Sequence, residues 1–160
     1  MRNSSYHHTF NKGLTIHGTH DAFDENNVVY ENIGHSYFFE DGSEVNNRLI
    51  GNLAINTRRP ASKAEETQGS NDFRDDSNYW IENSNTEGPG YGASAAFEAN
   101  VAHSAVDRGF GLNHASHVQN ERYIGTDANP QLVNEFWKVD DFTIYKVGLG
   151  IYVRGIGGDL

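Results

Sequence analysis

Apolar residues along this chain come in short alternating runs bounded by Asn, Gly and Asp, and long windows with apolar spacings of three and four are hard to find. That pattern predicts strands and tight turns. The runs also resemble one another at fixed offsets. A slide of 23 lays Phe10 to Gly18 on Ile33 to Asp41, and a slide of 25 lays Asn27 to Tyr30 on Asn52 to Ile55. A slide of 73 lays Asn27 to Phe39 on Asn100 to Leu112, and one of 42 lays Tyr37 to Asp41 on Tyr79 to Asn83. Near the C-terminus, Phe142 to Val153 falls on Val28 to Phe39 at 114.

A repeat built only of short strands and turns cannot bury its apolar side alone, so its copies must stack. The expected fold is all-β: a right-handed, single-stranded parallel β-helix of about five coils, with residues 1–160 forming a segment of a longer solenoid. Residues 57–78 and 113–140 read as loop insertions, with a shorter one around Asn85 to Tyr91. The first of these is polar and highly charged, as a solvated surface loop would be. Strand alternation gives an inward column of Leu14, Tyr37, Tyr79, Phe110 and Ile151, followed two residues later by Ile16, Phe39, Ile81, Leu112 and Val153. A second inward column is expected at Ser5, Val28, Leu53, Val101 and Phe142, and a third at Phe10, Ile33, Val106 and Val147. Asn27, Asn52 and Asn100 recur at one corner, where Asn tolerates left-handed backbone and stacked amides can bond between coils.

Composition sharpens this picture. The 17 Gly and 18 Asn among 160 residues supply the corners, and the 9 Phe, 8 Tyr and 2 Trp supply rings to stack. The absence of Cys removes disulfides and thiolate chemistry. A net charge of −10, from 12 Lys plus Arg against 22 Asp plus Glu, argues against nucleic acid as a general partner. No apolar run approaches the roughly 18 residues of a membrane span, and Arg2 to Tyr6 open no signal peptide. No P-loop, HExxH or GxSxG motif is present.

Residues between the inward positions should face out: Thr15, Phe38, Trp80, Gly111 and Tyr152 in one row, then His17, Glu40, Glu82, Asn113 and Arg154 in the next. Gly13, Ser36, Asn78, Gly109 and Gly150 flank them as a row of small residues. Rings beside carboxylates suit a carbohydrate, because sugar faces stack on rings while acids address hydroxyls and the glycosidic oxygen. Glu40 and Glu82 would stand one strand spacing apart, about 4.8 Å, near the short carboxylate separation of a retaining glycosidase. They are the candidate acid and base or nucleophile, with Phe38, Trp80 and Tyr152 as the sugar platform. The bland alternative is that loops cover the rings and that His17 and His35 are structural. Asp21, Asp24 and Glu25 lack a calcium-loop spacing and read as a solvated corner.

IHGT at Ile16 to Thr19, GHSYFFEDG at Gly34 to Gly42 and YWIEN at Tyr79 to Asn83 resemble the parallel β-helix region of the eight-glycine-domain family. That family includes the cell-migration-inducing hyaluronan-binding, transmembrane cell-surface hyaluronidase and fibrocystin-like proteins, and the chain looks like a bacterial-type member or fragment. The resemblance covers about the first half; beyond Asn100 only the repeat persists. It implies an extracellular or cell-surface β-helix that binds or cleaves glycosaminoglycan-like polysaccharide, with His17, His35, Glu40 and Asp41 at the matching positions. A polyanionic substrate would need calcium as a bridge or a local positive patch at Arg108 and Arg154; otherwise the glycan is a different one. Calcium is the one cofactor left open. Two readings stand beside glycoside hydrolysis: a non-catalytic structural or adhesive module, and a calcium-assisted polysaccharide lyase using His35 or Arg108 as proton acceptor. The expected partners are polysaccharide and further coils, without nucleic acid or membrane insertion.

Overall fold

The computed structural model describes residues 1–39, 47–59, 77–82, 96–113, 123–124, 131–132 and 139–153; within these, side chains are described except at 80–82, 96, 112–113, 123–124, 131–132 and 153. Every regular element among the described residues is a strand. Three parallel sheets form three walls. The first stacks Ser5–His7, Val28–Tyr30, Leu53–Ile55, Val101–His103 and Thr143–Tyr145. The second stacks Leu14–Ile16, Tyr37–Phe39, Ser77–Glu82, Arg108–Asn113 and Leu149–Val153. The third stacks Phe23–Glu25, Arg48–Ile50, Ala96–Glu98 and Val139–Asp140. The chain visits the walls in that order and begins the circuit five times, so it winds as a parallel β-helix. Tyr123–Ile124 and Gln131–Leu132 form a separate antiparallel pair inside the last insertion.

On the second wall the register matches the sequence offsets: Leu14 pairs with Tyr37, Tyr37 with Tyr79, Tyr79 with Phe110 and Phe110 with Ile151. Tyr37, Phe39, Tyr79 and Phe110 are buried here against Val29, Ala54 and Ala102 of the first wall and Leu49 and Phe97 of the third. Tyr37 and Tyr79 stack at 4.8 Å between centroids. Their hydroxyls cross the core to the corner carbonyls of Asn27 and Asn52, at 3.0 and 2.8 Å, which satisfies two buried O–H groups.

Three expectations need correction. In the first wall the buried residue is the middle one of each strand, Val29, Ala54 and Ala102, while Val28, Leu53 and Val101 are only half-buried. In its last strand Thr143, not Phe142, pairs with Val101. The cause is one missing corner residue: seven positions separate His103 from Phe110, but six separate their partners Tyr145 and Ile151. The proposed third column also fails, since Phe10 and Val106 are 83% and 57% exposed. Its place is taken by the third wall, whose inward residues are Asp24, Leu49 and Phe97.

Both tight corners use left-handed backbone. Asn3, Asn26, Gly51, Ala99 and Asp141 have positive φ before the first wall, and His8, Glu31, Asn56, Ser104 and Lys146 have it after. Each turns the chain without breaking the interstrand ladder, because amides such as Asn26 N–H and Glu31 N–H still donate to the next coil, to Ile50 O and Ile55 O, at 3.0 Å. Asn27, Asn52 and Asn100 follow the first of these columns and are fully buried; the left-handed residue of that corner is the one before each of them, not the recurring Asn itself. A further amide of the same kind, Asn47, accepts from Ala22 N–H and donates to Thr19 O, both at 2.8 Å, at the entrance to the third wall. The longer connections all adjoin the second wall: 60–76 leads into it, and 40–46, 83–95 and 114–138 lead out.

Candidate functional site

The outer side of the second wall carries the candidate residues. The register aligns Thr15, Phe38, Trp80, Gly111 and Tyr152 as one row. It pairs Glu82 with Asn113 in the next row. Glu40, Asp41 and Arg154 lie outside the described residues, as do the side chains of Trp80 and Glu82. His17 is exposed.

The row of small residues has a different role from the one expected. A Cβ at Gly13 would stand against Val29, and one at Gly109 against Ile144 and 3.0 Å from Gly150 O, so these positions face inward at the entrance to the wall. Ser36 and Asn78 of the same row join a buried network. Ser36 Oγ donates to Asn32 Oδ1 at 2.7 Å and Thr57 Oγ1 to Asn78 Oδ1 at 2.6 Å. Asn78 Nδ2 donates in turn to Ala54 O at 3.0 Å. This network ties the second coil to the third at the entrance to the wall, next to the residues that precede it.

Those residues are Lys12, His35, Ser77 and Arg108, each two positions before the inward residue of its strand. His35 is buried, and its Nδ1 accepts the Ser77 N–H at 3.2 Å. Burial first, then the positive charges of Lys12 and Arg108, push its pKa down to about 3. It is therefore neutral at physiological pH, with Nδ1 as acceptor and the ring proton on Nε2. Ser77 Oγ is buried with no hydrogen-bond partner among the described residues.

Two cations brace on rings of the adjacent row. The Lys12 ammonium lies 4.1 Å from the centroid of Phe38, and the Phe38 ring stacks on His35 at 5.1 Å and 8°. The Arg108 guanidinium lies 4.1 Å from the centroid of Tyr152. Phe38 is fully buried, so it is not the open stacking platform expected of it. Tyr152 is half-buried. Sequence reasoning selected His35, Phe38, Arg108 and Tyr152 but missed Lys12 and Ser77. The signal was available, since the offsets of 23 and 42 that align Leu14 with Tyr37 and Tyr37 with Tyr79 also align Lys12 and Ser77 with His35.

Among the described residues no group of three or more His, Asp or Glu side chains is arranged to hold a metal ion. Asp24, expected in a solvated corner, is instead buried facing the core, and Glu25 pairs with Arg2 at 3.2 Å. No helix among the described residues is long and apolar enough to cross a membrane.

The three walls and the asparagine-lined corner define a parallel β-helix. The chain belongs to the CEMIP beta-helix family, whose model matches residues 1–94. It is 37% identical over 54 residues to the human cell surface hyaluronidase CEMIP2, covering 34% of this chain and 4% of that protein. It is 33% identical over 85 residues to human fibrocystin-L, covering 53% of this chain and 2% of that protein. It is 42% identical over 55 residues to the communication mutant protein F of Dictyostelium discoideum, covering 32% of this chain and 5% of that protein. The chain thus spans only a few per cent of the length of these relatives. No solved structure matches it.

Proposed function

We propose that this chain is a polysaccharide-binding segment of an extracellular or cell-surface protein, acting on a glycosaminoglycan-like chain along the outer side of the second wall. The observation that carries the reading is the register itself. It lines up Lys12, His35, Ser77 and Arg108 beside the ring row, on the wall to which every long connection attaches. Rings, cations and fixed hydrogen-bonding groups together match the apolar faces, carboxylates and hydroxyls of such a polymer. Relatives named for cell surface hyaluronidase and for hyaluronan binding support the substrate class.

In this reading Glu40 and Glu82 act as acid and base or nucleophile, and His35 and Asp41 orient them. The offset of 42 that pairs Phe39 with Ile81 is also the sequence offset between Glu40 and Glu82, which supports choosing them as a pair. A neutral His35 with a pKa about 3 is a weak proton acceptor at neutral pH, which favours hydrolysis over the lyase reading. The burial of Phe38 favours a second reading, a non-catalytic binding or adhesive module continuous with further coils.

Release of reducing ends from a panel of glycosaminoglycans by the parent protein, its Glu40→Gln variant and its Glu82→Gln variant separates them. Hydrolysis predicts release that falls at least about 100-fold in each variant. Equal release by all three removes the pair from the mechanism. Binding without release supports the non-catalytic module.

A further inference from the structure

The left-handed corner that ends the first wall carries a row of polar groups that neither the core nor the second wall uses. Consecutive side chains of a strand point to opposite sides, but the left-handed backbone of His8 (φ 57) breaks that alternation at the end of Ser5–His7. The His8 ring lies beside that of His7, at 5.1 Å between centroids and 88°. The two Nδ1 atoms stand 2.8 Å apart. Glu31 occupies the same corner position one coil along, and its Oε2 lies 2.9 Å from His8 Nε2. Its other oxygen, Oε1, accepts from Asn56 Nδ2 at 3.0 Å, one coil further. Both histidines are exposed.

We infer that His7 and His8 chelate a divalent transition-metal ion of the copper or nickel type through their Nδ1 atoms, with Glu31 as the outer carboxylate that orients His8. The tautomer of His8 follows from its partner. In the neutral ring that metal binding requires, Nε2 carries the proton, because it faces a carboxylate that only accepts, and Nδ1 presents a bare lone pair. His7 carries its proton on either nitrogen, and placing it on Nε2 leaves two bare nitrogens side by side. A carboxylate behind a ligating imidazole holds the ring in place and raises its basicity.

The spacing selects the ion. With metal–nitrogen bonds of about 2.0 Å, two donors at a right angle are separated by about 2.8 Å, and two at the tetrahedral angle by about 3.3 Å. The observed 2.8 Å fits neighbouring positions of a square-planar or octahedral ion better than those of tetrahedral zinc. Imidazole donors suit copper and nickel, whereas calcium takes oxygen ligands. The pair supplies two protein donors, so water completes the coordination. Through Glu31 and Asn56 the ion also ties the first coil to the next two. The site lies on the first wall and its corner, apart from the second-wall surface proposed to bind polysaccharide.

Titration of the parent protein with cupric chloride against glycine as a competing chelator, followed by electron paramagnetic resonance, tests this. The first equivalent of copper is expected to show splitting from two imidazole nitrogens and to raise the thermal midpoint of the parent. Glu31→Gln should weaken binding about tenfold, and His7→Thr and His8→Asn should each weaken it further. Thr suits the strand position of His7 and Asn tolerates the left-handed backbone of His8, so both variants keep the local conformation. His114→Asn/His117→Asn, which removes another closely spaced pair of the sequence, should bind as the parent does. Failure of the parent to bind copper overturns the site. So does an unchanged affinity and two-nitrogen spectrum in His8→Asn, or their loss in the His114/His117 variant alone. Unchanged binding in Glu31→Gln overturns the role of the carboxylate.

Discussion

The backbone N–H of Asn27 donates to Oδ1 of Asn52 at 2.9 Å, one coil further along, and Asn52 N–H repeats the bond to Asn100 Oδ1 at 2.8 Å. Each side-chain amide also donates backwards: Asn52 Nδ2 to Asp24 O at 2.9 Å and Asn100 Nδ2 to Leu49 O at 2.8 Å. Both amides are fully buried. Replacing Asn52 by Ala leaves one buried N–H and one buried carbonyl unpaired, so Asn52→Ala is expected to cost about 3 kcal/mol. Urea unfolding measures it, and an unchanged midpoint would show that the ladder contributes nothing.

Phe142 stands where the ladder would continue beyond Asn100, since the next residue, Thr143, pairs with Val101. Its ring packs edge-on against Tyr79 and Phe97 at 5.4 and 5.0 Å, so a hydrophobic plug replaces the amide. Removing the half-buried ring in Phe142→Ala should cost about 2 kcal/mol, less than for a fully buried Phe. Phe142→Asn should recover about 1 kcal/mol of that by offering Asn100 N–H an acceptor. Equal losses in the two variants would show that the amide column cannot be extended there.

His35 couples stability to pH. Its native pKa is pushed down to about 3 by burial and the nearby cations, against 6.5 for the unfolded chain. Between those values the unfolded chain binds a proton that the folded chain refuses, so stability falls with falling pH by about 1.4 kcal/mol per unit. Replacement in His35→Asn abolishes this component. The stability of the variant relative to the parent should rise on the order of 3 kcal/mol between pH 6.5 and 4 in denaturant titrations. A difference that stays constant over that window would contradict the assignment.

Ala99 holds left-handed backbone at φ 52, in a column otherwise occupied by Asn, Gly and Asp. An Ala gains nothing there to offset the strain, whereas Asn tolerates it, so Ala99→Asn should stabilise by about 0.5 kcal/mol. A β-branched residue is far less tolerant of this conformation, and Ala99→Val should lose more than about 1 kcal/mol. Thermal melts of the two variants read both signs, and the opposite order would refute the conformational argument.

Much of the candidate site was legible because the strand offsets were. The register that pairs Phe38 with Trp80 and Gly111 with Tyr152 follows from slides that match the inward residues. The same offsets carried the position of Lys12, but a lone lysine in a polar run has no pattern of its own to mark it. The phase of the first wall was harder to read. In strands such as Val28–Tyr30 and Leu53–Ile55 the first two residues are both apolar, and three residues are too few for alternation to choose between them.

The sequence by itself determined that the chain coils, which residues stack on the second wall and which asparagines form the corner, because each coil repeats the previous one at a readable offset. Only the tertiary structure decided which side of each first-wall strand faces in, that a third wall carries Leu49 and Phe97 into the core, and that Phe38 is buried in contact with Lys12 and His35. The reason is physical. Periodicity assigns a residue to a side of a strand, whereas its burial depends on what other coils and corners bring against that side.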